Sequence, residues 1–394
     1  MQFPIDRVVQ YNFPTRIRSG FGARHEIGPY LLAEGQKRPL IVTDAELAKL
    51  PIPGDLEKEL NGAGLSAKIF AGVQGNPVES QVTAGVAVFR AHNADSIVAL
   101  GGGAAMDVAK AITLMAHHPG KLFDYEDVPG TKPVDQTIPF FVTVPTTAGT
   151  GTEVGRSTVI SDDTTHAKKI MFSPRLLARC VFADPELTLG LPARVTAATG
   201  MDALTHLVEA YLANDYHPIC DGIALEGVRL VAQSLVQCTE YAKAKDPGSD
   251  DHRRVRGMML NAAMMGGIAF QKGLGAVHST AHPLSTVFDF HHGLANGIMI
   301  PYVMRFNAEA VPERFVTLAQ AAGIANPGPD SFIHWLENLK EQLGIPRTIS
   351  EAGAKKEGLE DLVRFAVLDV CHAMNPRPVS EGDFRNIYTK AFGS

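Results

Sequence analysis

The sequence contains few cysteines, and they form none of the patterns expected of a metal-binding or disulfide-linked domain. Four cysteines occur among 394 residues, widely separated and without a CxxC pair. This spacing argues against a zinc knuckle and against a disulfide framework, because both need thiols at short or regular intervals. We expect the four to be buried as small apolar side chains: they are Cys180, Cys220, Cys238 and Cys371.

The chain also lacks a long apolar run and a cluster of basic residues. No segment approaches the length of a membrane span, and the first twenty residues hold no apolar stretch of the kind a signal peptide requires. Lysine and arginine are scattered and the net charge is −6, so nothing supports binding to nucleic acid. We therefore expect a cytoplasmic protein with neither a membrane nor a nucleic acid as partner.

Length and apolar pattern predict two domains, since 394 residues exceed the usual size of one hydrophobic core. Up to about residue 190, short β-rich runs alternate with helical stretches, which is typical of a parallel sheet covered on both faces. We predict a doubly wound α/β domain over residues 1–190 and, from the longer segments of helical period that follow, an all-helical domain over residues 191–394. The polar stretch 244–254 is predicted to be a loop between helices.

A glycine-rich turn stands between a predicted strand and a predicted helix in DSIVALGGGAAMDVAKAIT. Gly101, Gly102 and Gly103 let the backbone approach a ligand closely, and free N–H groups at the start of the helix favour an anion such as a pyrophosphate. The spacing is not GxGxxG. On its own the turn leaves a nucleotide site and a plain tight turn equally open.

A second loop, VPTTAGTGTEV, follows another predicted strand and carries four threonines around two glycines. Hydroxyls and free amides at the carboxyl end of a parallel strand lie where open α/β sheets bind ligands, so the two loops together suggest a long, phosphate-bearing ligand. The alternative is that the threonines cap the next helix.

Asp44 closes a third predicted strand, in LIVTDAEL. A carboxylate there can accept hydrogen bonds from both hydroxyls of an adenine ribose and would repel a 2′-phosphate, which favours NAD over NADP. The alternative is that Asp44 caps the following helix.

Histidines concentrate in HSTAHPLSTVFDFHHG, where residues 278–293 hold four of the fourteen in the chain. Asp202 and His206, in TGMDALTHLVEA, lie at i and i+4 on one face of an otherwise apolar helix. A divalent cation would compensate a buried carboxylate and imidazole, so we propose a site of one carboxylate and three imidazoles that suits Fe(II) or Zn(II). Each of these residues, taken singly, is more often a helix-start residue or a hydrogen-bonded core group.

The motifs GGGAAMDVAK, VPTTAGTGTEV, GMDALTHLVEAY, GLGAVHSTAHPL and HHGLANGIMIPYVMRFN resemble, in order and spacing, those of the iron-containing (group III) alcohol dehydrogenase family. The resemblance extends over nearly the whole chain. It implies a dehydroquinate synthase-like architecture, with a dinucleotide-binding domain followed by a helical metal-binding domain, and NAD(H)-linked interconversion of an alcohol with its aldehyde or ketone. It also implies Fe(II), with Zn(II) as the alternative metal. A homodimer is expected because such folds commonly form one.

The resemblance assigns roles to individual residues. It implies that the metal ligands are Asp202, His206, His278 and His292, and that His282 lies between metal and nicotinamide, where it helps to relay a proton. His291 matches no ligand position and is expected to be structural. Cofactor-contacting positions are Asp44, Gly101, Gly102, Gly103, Asp107, Thr146, Thr147, Thr150 and Lys169.

Three departures from the family pattern put the substrate in doubt. Ala104 replaces a serine, the segment before His278 is one residue shorter, and Arg156 and Ser157 stand in a region that lines the family's substrate pocket. We hypothesise that Arg156 or Lys272 pairs with an acidic tail of the substrate, against the alternative that both are solvated surface cations.

Other functions remain open at this point. A metal-dependent hydrolase would use the same ligands but leaves the nucleotide loops unexplained, and a protein that kept the fold without chemistry would bind cofactor without turnover. Relatives of glycerol dehydrogenase or maleylacetate reductase are closer alternatives, and Asp202 counts against both.

Overall fold

The computed structural model describes residue 10, residues 12–13 and residues 15–393. Residues 1–9, which carry part of the segment inspected above for a signal peptide, lie outside the described residues. The described chain forms two compact units. Of the described residues, 15–147 and Gly151–Thr188 form the α/β unit, and residues 10 and 12–13, Ala148–Thr150 and residues 189–393 form the helical unit.

The α/β unit is built on a six-stranded parallel sheet in the order β1-β8-β5-β4-β2-β3, with β6 and β7 forming a separate antiparallel pair. The strands are β1 (Arg16–Ser19), β2 (Pro39–Asp44), β3 (Lys68–Val73), β4 (Ser96–Gly101), β5 (Phe140–Pro145), β6 (Ser157–Ser161), β7 (Lys168–Phe172) and β8 (Cys180–Ala183). The helices are α1 (Ile27–Ala33), α2 (Pro51–Gly62), α3 (Glu79–Ala91) and α4 (Gly103–Met115).

Two separate apolar cores cover the two faces of this sheet. Successive side chains of a strand point to opposite faces, so Leu40 and Val42 of β2 join the core under α3 and α4, whereas Ile41 joins the core under α1 and α2. A strand buried on both faces needs apolar residues at every position, and this is why the strand segments read as continuous apolar runs. The α/β fold with helices on both faces is confirmed.

The helical unit consists of nine α-helices among the described residues. They are α5 (Ala193–Leu212), α6 (Pro218–Lys243), α7 (Asp250–Ala269), α8 (Ala276–Phe288), α9 (His292–Ala308), α10 (Pro312–Ala321), α11 (Pro329–Leu343), α12 (Leu359–Leu368) and α13 (Glu381–Ala391). Helix α5 is the centre of the unit: every residue from Thr196 to Leu212 is buried, and α6, α7 and α9 pack around it. A helix buried on all sides must satisfy every polar side chain within the protein.

The structure differs from two of the sequence-based expectations. The predicted loop 244–254 is wrong over its second half, because α7 begins at Asp250, where the Ser249 side chain accepts a hydrogen bond from the His252 N–H and caps the helix. Cys180, Cys220 and Cys238 are buried as expected, but Cys371 is only half-buried; all four are free thiols. No helix among the described residues is long and apolar enough to cross a membrane.

Candidate functional site

Helix α5 carries three polar side chains on one face. Asp202, His206 and Glu209 follow one another at intervals of four and three residues, and their exposed fractions are only 2%, 5% and 2%. Residues three or four apart on a helix lie one above another. The buried centre of the unit therefore contains two carboxylates and an imidazole in a column.

Helices α8 and α9 bring two further imidazoles to this column, His278 near the start of α8 and His292 at the start of α9. Helix α8 ends at Phe288 and is followed by Asp289, whose φ of 55° is left-handed; α9 begins at His292. Gly293 permits the close approach of α9 to α5, because a Cβ at this position would lie 2.3 Å from the Ala198 carbonyl oxygen. Donor atoms of four residues, one from each, consequently lie within 4.8 Å of one another: Asp202, His206, His278 and His292.

The protonation states of this cluster suit a metal ion. Burial alone would raise the pKa of Asp202, but the three surrounding histidines outweigh it and lower that pKa to about 2. Burial lowers the pKa of His206 to about 4, so its ring is neutral at physiological pH. Burial would lower the pKa of His278 too, but its hydrogen bond to Glu209 and the neighbouring carboxylate charges together outweigh burial and raise that pKa. One carboxylate and three imidazoles form a donor set that Fe(II) and Zn(II) accept. The residues present therefore fit the metal that the sequence predicts.

Two residues that sequence reasoning missed hold the cluster in place. Glu209 accepts a 2.6 Å hydrogen bond from His278 Nδ1 and another of 2.6 Å from the Val277 N–H. This leaves Nε2 as the nitrogen of His278 that can bind a metal. Asn296 Nδ2 donates to Asp202 Oδ1 at 2.8 Å. The available signals were the spacing of Glu209 from His206 and of Asn296 from His292, each about one helical turn.

His282 lies beside this cluster but contributes no donor atom to it. Its ring stacks on that of His292, with centroids 5.2 Å apart and an interplanar angle of 20°. Its Nδ1 donates to Asp369 Oδ2 at 2.7 Å, and hydrogen bonding to His282 holds the pKa of Asp369 well below its usual range although burial opposes this. His291, expected to be structural, is the residue that precedes α9 and is also outside the four-donor cluster.

The glycine turn in the α/β unit has a backbone that only glycine tolerates. Gly101 has a φ of 148°, and a Cβ there would lie 2.7 Å from the Ala105 Cβ. Helix α4 begins directly afterwards, and its N-cap residue Gly102 provides no side-chain hydrogen bond to the first turn. N–H groups in the first turn of a helix can bind an anion when no side chain caps them.

The threonine loop lies next to this turn. The Thr146 N–H donates to the Gly101 carbonyl at 3.0 Å, and the Thr147 side chain lies 3.3 Å from the position of a Cβ on Gly102. Thr150 belongs to the helical unit with Gly149, whose missing side chain lets the loop contact Thr199 of α5.

The structure shows one of the two roles considered from sequence for Asp44, the capping of the following turn. Its Oδ1 accepts hydrogen bonds from the backbone N–H groups of Glu46 and Leu47, at 3.0 and 2.8 Å, and so caps the turn that follows β2. Its Oδ2 lies 3.4 Å from the position of a Cβ on Gly101. One carboxylate oxygen is therefore structural, and the other is directed towards the glycine turn.

Asp107 and Lys110 of α4 hold the end of the threonine loop and the residues that follow it. Asp107 accepts a hydrogen bond from Thr152 Oγ1 at 2.9 Å, and burial raises the pKa of Asp107 to about 6. Lys110 is fully buried, and its Nζ donates to the carbonyl oxygens of Thr152, Gly155 and Ser157 at 2.6–3.0 Å. Burial lowers the pKa of Lys110 to about 8. Sequence reasoning did not single out Lys110.

Lys169, Arg156 and Ser157, which the sequence predicts to contact cofactor or substrate, lie on the antiparallel β6–β7 pair or next to it. Lys169 Nζ lies 3.2 Å from Glu126, and the Arg156 guanidinium stacks on the Phe172 ring at 5.2 Å. Ser157 is the first residue of β6 and pairs in register with Phe172.

Lys272 is not a solvated surface cation. Its Nζ is buried in the helical unit and donates to Asp221 at 2.5 Å and to the Tyr211 carbonyl at 2.8 Å. The ion pair with Asp221 compensates the buried charge of Lys272, so no substrate is needed to explain it.

Comparison with known proteins matches both units. A model of the family "Iron-containing alcohol dehydrogenase" matches residues 14–185, and a model of "Fe-containing alcohol dehydrogenase family, C-terminal" matches residues 196–392. The NAD-dependent methanol dehydrogenase of Bacillus methanolicus is 36% identical over 379 residues, covering 94% of this chain and 97% of that protein. The 4-hydroxybutyrate dehydrogenase of Cupriavidus necator is 35% identical, with 95% and 97% covered.

A solved structure supports the same comparison. The crystal structure of 1,3-propanediol oxidoreductase aligns with a TM-score of 0.91 and 35% identity, covering 98% of this chain and 100% of that one.

Proposed function

The chain belongs to the iron-containing alcohol dehydrogenase family, and on that premise we propose that it is a metal-dependent, NAD(H)-linked dehydrogenase that interconverts an alcohol and its aldehyde or ketone. The family resemblance inferred from the sequence is confirmed. The observation that carries the proposed activity is the convergence of Asp202, His206, His278 and His292 on one point of the helical unit.

These four residues would hold Fe(II), or Zn(II) as the alternative. A divalent cation bound there supplies Lewis acidity to the substrate oxygen and lowers the pKa of an alcohol towards neutrality. Asp202 provides the negative charge, and Glu209 keeps the metal-binding nitrogen of His278 directed at the cluster. His282 would exchange the proton of the alcohol, because its ring lies beside His292 and contributes no donor to the metal.

The proposed cofactor is NAD. Its pyrophosphate would lie on the N–H groups of the glycine turn, and the free oxygen of Asp44 would accept hydrogen bonds from the adenine ribose. Thr146, Thr147, Thr150 and Lys169 are proposed cofactor contacts. Asp107 is proposed to act indirectly, since its carboxylate is bonded to Thr152. The NAD dependence named for the Bacillus methanolicus relative supports this proposal.

A substrate with an acidic tail is the finer proposal, with Arg156 as its partner. The 4-hydroxybutyrate dehydrogenase among the relatives supports it, and stacking on Phe172 restrains the guanidinium that would bind a carboxylate. Ser157 and Lys272 complete the predicted substrate set, although the ion pair of Lys272 with Asp221 weakens its case. Activity on 4-hydroxybutyrate relative to butanol should fall in R156A and stay unchanged in R175A, an exposed arginine of the same unit. An unchanged ratio in R156A would reject the proposal.

The activity itself is tested on protein purified without oxygen. Elemental analysis gives the metal content, and the absorbance of reduced nicotinamide is followed with a panel of alcohols and NAD⁺. We expect turnover that disappears when a chelator removes the metal and returns when Fe(II) or Zn(II) is added. D202N should bind less metal and turn over correspondingly slower. Undiminished turnover after the metal is removed, or no turnover with any alcohol or aldehyde, would overturn the proposal. A cytoplasmic homodimer stays a prediction, and light scattering measures the oligomeric state.

A further inference from the structure

Asp369 lies next to the candidate site without contributing to the four-donor cluster. It follows α12 directly, in a segment that sequence reasoning did not single out, and it reaches His282 on α8 across 87 positions of sequence. Its side chain is mostly buried. A buried carboxylate requires hydrogen-bond donors, so the donors that surround Asp369 indicate its role.

All the donors to Asp369 come from the surroundings of His282. Oδ2 accepts from His282 Nδ1 at 2.7 Å, while Oδ1 accepts from Ser279 Oγ at 2.7 Å and from the Cys371 N–H at 2.9 Å. The two bonds to Oδ1 fix the carboxylate to α8 and to its own loop. Oδ2 is thereby presented to His282 in one orientation.

This contact determines the tautomer of His282. A carboxylate only accepts hydrogen bonds, so Nδ1 must carry the hydrogen, and in the neutral ring Nε2 is then the basic nitrogen. Within residues 15–393, Nε2 has no hydrogen-bond partner, and about 30% of the side chain is exposed. The same ring stacks on His292 of the metal cluster, so the basic nitrogen belongs to a ring adjoining the metal donors.

We propose that Asp369 is a positioning residue that keeps His282 in the Nδ1–H tautomer, so that Nε2 exchanges the substrate proton. The proposal rests on the dehydrogenase activity proposed above. During oxidation the alcohol O–H bond would break and its proton would bond to Nε2, while the hydride of the carbinol C–H bond would leave to the NAD⁺ that the proposed activity requires. The resulting imidazolium, stabilised by Asp369, releases the Nε2 proton to water. Reduction of the carbonyl runs through the same steps in reverse.

A double-mutant cycle tests whether Asp369 acts through His282. In D369N the side-chain amide can donate a hydrogen to Nδ1 and so favour the unproductive tautomer. We expect D369N and H282A each to lower kcat roughly 100-fold, the usual contribution of a positioned proton-transfer group, with the KM for NAD⁺ and the metal content unchanged. The double variant should be no slower than H282A. Independent, multiplied losses, or loss of metal from D369N, would refute the proposal.

The matched control is another carboxylate–histidine pair of the helical unit. Asp246 Oδ1 lies 3.3 Å from His252 Nδ1, remote in sequence from the metal ligands. We expect D246N to retain kcat within about twofold, once thermal unfolding shows that both variants are folded. An equal loss of kcat in D246N would show that removing any such pair impairs the enzyme, which contradicts a specific role for Asp369.

Nitrogen-15 NMR of histidine-labelled, Zn(II)-loaded protein separates this proposal from the proposed function. The His282 signals are assigned by their loss in H282A. In the unsubstituted protein we expect Nδ1 protonated and Nε2 unprotonated at pH 8, with the populations shifted towards Nε2–H in D369N. A protonated Nε2 in the unsubstituted neutral ring overturns the inference even if the enzyme is active. Absence of turnover with every alcohol rejects the dehydrogenase, and the spectrum still decides the tautomer.

Discussion

Replacement of Glu209 by glutamine tests whether the metal cluster depends on a carboxylate that does not bind the metal. Glu209 is buried and accepts hydrogen bonds from His278 Nδ1 and from the Val277 N–H, both at 2.6 Å. A glutamine of nearly the same shape can accept at only one of its two terminal atoms. The other terminal atom would carry hydrogens and face a donor.

The magnitude follows from the bond that is lost. A hydrogen bond to a charged group contributes about 1.5–3 kcal/mol, and a glutamine N–H facing Nδ1 favours the Nε2–H tautomer of His278, which cannot bind a metal. Restoring the correct tautomer would weaken metal binding. We therefore expect E209Q to raise the Kd for Zn(II) about 10- to 100-fold, equivalent to about 1.4–2.8 kcal/mol.

Competition with a chromophoric chelator measures this Kd directly, and thermal unfolding checks that the variant is folded. E240Q is the matched control, because Glu240 is an exposed glutamate of α6 that pairs with the exposed Lys243. Its Kd should equal that of the unsubstituted protein. A folded E209Q that binds Zn(II) with an unchanged Kd would refute the reasoning that Glu209 directs His278 to the metal.

Three further predictions concern the α/β unit. G101A should lose about 1–3 kcal/mol of unfolding free energy and bind NAD⁺ more weakly, because residue 101 has a φ of 148° and no room for a Cβ. G190A is the control in thermal unfolding and cofactor titration, because a Cβ there would meet nothing within 4 Å. Equal effects of the two substitutions would contradict the prediction. Burial raises the pKa of Glu153 to about 7, so the folded state keeps this proton above the usual pKa of 4.5 and the free energy of unfolding should fall as pH rises from about 4.5 to 7. In denaturant titrations, the free energy of unfolding of E153Q relative to the unsubstituted protein should therefore rise by roughly 1–3 kcal/mol between pH 4 and pH 8. A constant difference would show that the carboxyl titrates normally. D44S should raise kcat/KM for NADP⁺ relative to NAD⁺ by about tenfold, since a carboxylate repels the 2′-phosphate, and an unchanged ratio of initial rates would assign Asp44 to capping alone.

The organisation of the sheet and the metal-bearing helix could be predicted from local patterns. Continuous apolar runs indicated strands buried on both faces, and the spacing of Asp202 and His206 indicated one face of a buried helix. Such periodicities indicate which side chains are buried, and they can be recognised in a short segment without knowledge of the rest of the chain. The start of α7 was missed because its first turn is polar, as N-terminal turns commonly are.

The contacts between distant segments were decided by the tertiary structure alone. Four histidines within residues 278–293 were equivalent candidates by composition. In the structure His278 and His292 join the cluster and His282 does not, and His292 reaches it through the turn at Asp289 and the close approach that Gly293 permits. Glu209 is hydrogen-bonded to His278, 69 positions away in sequence, and Asp369 to His282, 87 positions away.

Lys272 is a residue whose partner could not be predicted from the sequence. By sequence it was a candidate for the substrate, but in the fold its charge is compensated by Asp221. The sequence by itself determined the strands, the helices and which of their faces are buried, because these depend on neighbouring residues. Which buried polar groups meet depends on how all the helices pack together, and no local spacing records that.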